Sequence, residues 1–227
     1  MYPARRKAIW IGWMHVTGKV SELLRRNSAE MGERMNLREQ IRQYTAYNEQ
    51  EEKDQQMMLD FLDNGTDVFL RSNWTAHFTA SSWVLNQEHT KVLMIYHNIY
   101  HSWSWTGGHA DGEEDLLSVA VREVQEETGV KEIRVVNPDI FSLEVLCVEG
   151  HEKRGSYVPC HLHFNVTYLL EADEEDVLRV KPDENSGVRW FGFQEALEAC
   201  TEPWMKERIY QKLNDKLKRL DEIITIS

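Results

Sequence analysis

One stretch constrains this chain more than any other: Gly108 to Val130, which reads Gly-His-Ala-Asp-Gly-Glu-Glu-Asp-Leu-Leu-Ser-Val-Ala-Val-Arg-Glu-Val-Gln-Glu-Glu-Thr-Gly-Val. Asp111, with Glu114 three residues on, has the form of an N-cap and its capping-box partner. Gly129 stands where a left-handed C-terminal cap belongs. Between them Leu117, Ala120, Val121 and Val124 make an apolar stripe, so the spacing predicts a helix docked on a sheet. At about 100° per residue, Glu123, Glu126 and Glu127 share one arc on the flank of that stripe. Crowded carboxylates repel by roughly a few tenths of a kcal/mol per pair even in water. Such an arc is therefore either an ordinary solvated acidic face or a place where cations belong. Hard oxygen donors with room for water suit Mg²⁺ or Mn²⁺. Arg122, four residues before Glu126, is spaced to pair with it.

The rest of the pattern supplies a sheet for this helix. Leu37, Ile41 and Tyr44 share a helical face, and a second helix over 49–62 turns Met58, Phe61 and Leu62 to one side before Asn64-Gly65 ends it. Strands are expected over 77–85 and 91–96, joined by a hairpin turn, and then over 140–148, 157–170 and 188–193. Thr201 and Pro203 open a last helix with the stripe Met205, Ile209, Leu213, Leu217 and Leu220. This is an α+β pattern with one helix set among strands. It divides into an extension at 1–34 outside the core, a helical segment at 35–75, a central domain at 76–200 and an amphipathic helix at 201–227. A second methionine, Met35, stands at the first boundary.

The formal charge of −12 excludes a general grip on nucleic-acid duplexes, and any polyanionic substrate would need metal cations between it and the chain. No run of eighteen apolar residues exists to span a membrane. The basic residues Arg5, Arg6 and Lys7 precede only a short apolar run without a clean cleavage site, a loose likeness to a signal peptide. Cys147, Cys160 and Cys200 are odd in number and widely spaced, so neither a disulfide nor a metal framework is expected, and a cytoplasmic location is.

The segment fits Gly, five residues, Glu, seven residues, Arg-Glu-aliphatic-x-Glu-Glu-x-Gly-aliphatic at every defined position. At ordinary residue frequencies such a match has odds on the order of 10⁻⁷, and spacing thus decides against the solvated face. Through this box the chain resembles the Nudix hydrolases. The resemblance implies a mixed sheet sandwiched between helices, with the box as loop–helix–loop; the helical stretches read at 35–75 and 201–227 would be N-terminal and C-terminal extensions of it. It implies that Glu123, Glu126 and Glu127 bind Mg²⁺ or Mn²⁺ together with the Gly107 carbonyl, and that Glu123 is a candidate base. Arg122 would orient the carboxylates. Glu114 would cap, pair with Arg122 or take part in catalysis. His109, inside the box, would lie near the phosphates. A further carboxylate from a later loop is expected, with Glu149, Glu152 and Glu184 as candidates and Glu184 preferred. The implied reaction is in-line attack of water on a phosphoanhydride in a nucleoside diphosphate linked to another group. A homodimer is left open.

Markers of substrate are missing. Position 145, where relatives acting on ADP-ribose often have proline, is Val145; Leu146, Cys147 and Val148 fill the zone where dinucleoside-polyphosphate enzymes often have tyrosine. Trp103 and Trp105 alternate before the box, as a base-stacking platform or as sheet packing. His161, His163 and Asn165 share a strand face. A metal site there is disfavoured because no further ligand has suitable spacing, which leaves the substrate cleft or ordinary positions. Two other functions compete: a non-catalytic nucleotide sensor, which should have lost a box glutamate, and an isopentenyl-diphosphate isomerase, which needs a cysteine that Trp105-Thr106-Gly107-Gly108 lacks.

Overall fold

A computed structural model describes residues 35–153 and 155–226. Helices α1 (Leu37–Gln43) and α2 (Glu49–Asn64) lead into strands β1 (Ala76–Asn86), β2 (Lys91–His97), β3 (Ser102–Ser104) and β4 (Thr106–His109). The box helix α3 (Leu116–Thr128) follows, then β5 (Ile133–Val148), the short pair β6 (His151–Lys153) and β7 (Ser156–Val158), β8 (His161–Ala172) and β9 (Asn185–Gly192). Helix α4 (Phe193–Ala199), a π-helical turn (Met205–Tyr210) and α5 (Gln211–Ile226) complete it. Both opening helices start at an asparagine whose side chain accepts an orphan backbone N–H: Asn36 from Glu39 and Asn48 from Glu51, each at 3.0 Å.

The main sheet has the order β3-β2-β1-β8-β5, with β4 also on β1 and β9 also on β2. β1 and β8 run parallel from Ala76 opposite Leu162 to Asn86 opposite Ala172, and the other pairings are antiparallel. β1 is buried along its whole length, as a central strand covered on both faces must be. Its alternation splits the core in two. Phe78, Ala80 and Val84 pack with Met58 of α2 and Val119, Ala120 and Val124 of α3. Trp83 and Leu85 pack on the other face with Leu197 of α4, Tyr210, and Leu213 and Leu217 of α5. This is the mixed sheet between helices that the box resemblance implied.

Local boundaries moved for identifiable reasons. The box helix opens at Leu116 with Asp115 as its N-cap, so Asp111 and Glu114 form no capping box. Asp111 (φ 49°) and Gly112 (φ 93°) are left-handed and cannot enter a right-handed helix. The Asp111 carboxylate instead takes both arms of the Arg71 guanidinium. Gly129 does adopt the left-handed C-cap, at φ 75°. β5 starts at Ile133 rather than near 140, because its register with β8 shifts on both sides of Asn137 and lets Pro138 sit within a long strand. The stretch expected as one strand from Tyr157 breaks at Pro159-Cys160 into β7 and β8. Phe193, expected to end a strand, starts α4. In the last helix Ile209, Leu213 and Leu217 are buried but Leu220 is exposed, so the stripe ends a turn early. Cys147 in β5 and Cys160, just before β8, lie with their sulfurs 3.8 Å apart as free thiols.

One buried charge network ties the N-terminal helices and β5 to α5. Lys212 lies 3.0 Å from both Glu51 and Glu144, and Lys216 lies 3.0 Å from Glu51. Tyr44 and Ser142 add hydroxyl donors to Glu51 at 2.6 and 2.8 Å. Burial pushes the Glu51 carboxyl up, but Lys212 and Lys216 outweigh it and hold the group at about 2. Among the described residues no helix is long and apolar enough to cross a membrane.

Candidate active site

β4 brings the backbone of Gly107 and Gly108 between β1 and α3. Gly107 lies opposite Ser81 and Gly108 opposite Ala80. A Cβ on Gly107 would stand 2.6 Å from the Ala80 carbonyl oxygen, and one on Gly108 would stand 2.4 Å from the Glu123 carboxyl carbon. Only glycine lets the strand approach both neighbours this closely.

That approach seats two box carboxylates against the strand. Glu127 is 3% exposed, and its Oε2 accepts the Gly107 N–H at 3.0 Å. The Asn185 amide donates to the Glu127 backbone carbonyl at 2.9 Å, which fixes the helix end to β9. Burial pushes the Glu127 carboxyl well above the usual carboxylate range; the Gly107 N–H opposes this and nearby Glu123 and Glu184 add to it. Glu123 is raised as well, first by burial, with Lys181 opposing and Glu126 adding. Glu126 faces outward and pairs with Lys181 at 3.0 Å. Lys181 also holds Glu184 at 2.9 Å. Burial disfavours the Lys181 charge, but its two glutamates overcome that and raise the group above its ordinary value.

The structure therefore gathers Glu123, Glu126, Glu127, the Gly107 backbone and Glu184 in one region. Arg122 departs from its expected place: its guanidinium lies 3.8 Å from Glu123, and Lys181 takes the Glu126 partnership. Glu114 is exposed and forms no ion pair with Arg122 among the described residues. Glu149 and Glu152 lie at the β5–β6 end and in β6. Trp105 is 7% exposed and sits edge-on to Tyr210 at 5.6 Å in the second core, which corrects the stacking-platform reading for that residue. Trp103 packs edge-on against Tyr96 and Phe191. Nothing in the local sequence marks Lys181, whose partner Glu126 is brought to it by the crossing of its loop with the box helix.

The donor set fits a divalent cation. Carboxylates held in partial burial beside one another carry an electrostatic cost that a bound cation reverses, and Lys181 already offsets part of it from the outer side. Glu123, Glu126 and Glu127 are the residues that could hold Mg²⁺ or Mn²⁺, with the Gly107 carbonyl beside them.

Comparison with known proteins now gives the class. A NUDIX domain model matches residues 76–213, more than half of the chain, and the chain belongs to that family. Family and relatives together make it a pyrophosphohydrolase. The bis(5′-nucleosyl)-tetraphosphatase (asymmetrical) of Rattus norvegicus is 30% identical over 112 residues, covering 49% of this chain and 69% of its own. The Sus scrofa enzyme of the same name is 32% identical over 108 residues, covering 47% and 67%. Among solved structures, a C. elegans Ap4A hydrolase binary complex aligns over 63% of this chain and 98% of its own, at 18% identity with a TM-score of 0.47.

Proposed function

We propose that this enzyme hydrolyses a phosphoanhydride bond in a nucleoside diphosphate linked to another group, using Glu123, Glu126 and Glu127 as its metal-binding set. Bis(5′-nucleosyl) tetraphosphates, the substrates in the names of the rat and pig relatives, are the first class to test. The observation that carries the reading is Glu127: a carboxylate 3% exposed, anchored by one backbone N–H and surrounded by like charge. A purely structural role would pair it with a buried cation of the chain, as Glu51 is paired.

Mg²⁺ or Mn²⁺, when bound, supplies charge neutralisation for the phosphates and acidity to the attacking water. The chain's own residues do the rest. Glu127 is held in one orientation by the Gly107 N–H, and Glu123 is placed beside Gly108 to receive the proton that the water gives up. Lys181 keeps Glu126 and Glu184 turned toward one point. In-line attack then needs no covalent intermediate. We place the enzyme in the cytoplasm; the extension expected at 1–34 lies outside the described residues.

The test is a panel of dinucleoside polyphosphates, nucleotide sugars and nucleoside triphosphates incubated with Mg²⁺ or Mn²⁺, with the released phosphate products identified. Divalent-cation-dependent release of nucleotide products is expected, abolished by chelator. Full turnover after exhaustive chelation would sink the metal assignment.

A further inference from the structure

A second group of potential ligands lies on the other face of the same strands. β1 and β8 run parallel, and their register sets His77 directly opposite His163. His161 precedes His163 by two residues on the same face. β4 sets His109 opposite Thr79, which itself follows His77 by two. Strand alternation therefore aims all four imidazoles to one side, while the adjacent Gly108 faces Glu123 on the other. The His77 ring centroid is 5.1, 5.0 and 5.0 Å from those of His109, His161 and His163. One nitrogen from each of His77, His109 and His163 lies within 4.8 Å of the others. This overturns the expectation that His161 and His163 lack a further ligand: parallel pairing supplies one that local spacing hides.

The rings are prepared in a particular way. His77 is 3% exposed; its Nδ1 donates to the Asn73 carbonyl at 3.1 Å, and its buried Nε2 has no hydrogen-bond partner among the described residues. His161 donates its Nδ1–H to the Pro159 carbonyl at 2.8 Å, so its Nε2 lone pair faces Nε2 of His163, 3.1 Å away. A backbone carbonyl on the far nitrogen is the arrangement that fixes the tautomer and orientation of metal-bound histidines. Burial, followed by the neighbouring imidazoles, pulls His163 down to about 3, and burial lowers His77 as well. The two rings are thus neutral at physiological pH. A buried polar nitrogen without a partner is disfavoured, and His77 Nε2 is such an atom among the described residues.

We propose that His77, His109 and His163, with His161 alongside, form a binding site for a first-row transition metal ion, separate from the carboxylate set. Imidazole donors select zinc and its neighbours over magnesium. Nitrogens at about 2.1 Å from a tetrahedral ion stand roughly 3.4 Å apart, so side-chain rotation has to close only ~1.4 Å. The proton that His163 shares with His161 moves to its own Nδ1, and the ring stays neutral. His109 and His163 are only partly buried, so the site lies near the surface.

The experiment uses tag-free, chelator-treated, full-length protein and zinc alone as the probe, with cobalt as its visible reporter. We expect one Zn²⁺ per chain in millimolar Mg²⁺, and cobalt absorption of a nitrogen-rich tetrahedral or five-coordinate site. Glu127→Gln and Glu123→Gln should keep that binding. His77→Gln and His163→Gln should weaken it by at least ~100-fold, beyond the effect of losing an outer partner. The partly exposed His109→Asn serves as a third variant whose folding is under less threat. Stoichiometric zinc lost from Glu127→Gln but retained by His109→Asn and His163→Gln would move the ion to the carboxylates. Absence of zinc binding by folded parent protein would remove the site. Failure of the phosphohydrolase panel would leave the zinc result standing, because the readouts are independent.

Discussion

The chain buries two groups of carboxylates and treats them in opposite ways. Glu51 and Glu144, both 0% exposed, each touch a lysine ammonium at 3.0 Å, and hydroxyl donors fill in around them. Glu127 accepts a backbone N–H, Glu123 has the exposed Arg122 guanidinium at 3.8 Å, and Lys181 pairs with Glu126 and Glu184 instead. The first group is complete as it stands, so its charge is spent on holding α2, β5 and α5 together. The second is left short of positive charge, a deficit that a divalent cation would offset. Depth of burial does not separate the two groups; the balance of charge does.

Charge removal should therefore have opposite consequences in the two places. The largest effect is expected for Glu127→Gln, a turnover loss of at least ~10³-fold with thermal stability unchanged or raised. Turnover within tenfold of the parent would end the claim that this group works on a metal. Next comes Glu51→Gln, which leaves Lys212 and Lys216 facing one carboxylate fewer. It should cost about 3–5 kcal/mol of stability while the folded fraction keeps its turnover, as denaturant melts and active-site-normalised rates would reveal.

The same comparison can be sharpened with pH. The Glu51 carboxyl sits at about 2 in the fold against an ordinary 4.5. A depressed carboxylate contributes its stability above the ordinary value and loses it as pH falls toward the folded value. Stability on the order of 3 kcal/mol should thus drain away between about pH 5 and pH 2, and Glu51→Gln should flatten that part of the profile. An unchanged acid slope in the variant would mean that other carboxylates dominate. The smallest effect is expected for a chain beginning at Met35: melting temperature and turnover within error of the parent, with lost solubility or activity as the contrary result.

The box was legible because its chemistry is local. Glu123, Glu126 and Glu127 are neighbours on one helix, and spacing alone puts them together. The helix end at Gly129 was legible for the same reason, whereas its start was not. Asp111 has cap-like spacing to Glu114, but two left-handed residues and a distant arginine decided otherwise. What spacing hides is whatever strand register assembles. His77 and His163 are partners only because β1 and β8 run parallel, and Glu51 meets Lys216 across 165 residues. Lys181 belongs to the same class: its role depends on where a loop crosses the box helix, and nothing near it in sequence announces that.

The parallel β1–β8 pairing also has a history during synthesis. Partners such as Thr79 and Asn165 are separated by 86 residues, so β1 leaves the ribosome long before its long neighbour exists. At roughly 5–20 residues per second the wait is about 4–17 s. Through that interval an eleven-residue strand destined for complete burial has α2, β2, β4 and the box helix for shelter but lacks β8. The nascent chain is most exposed to aggregation in that window, and slowing translation between 110 and 160 should lower soluble yield without altering a single contact of the finished enzyme.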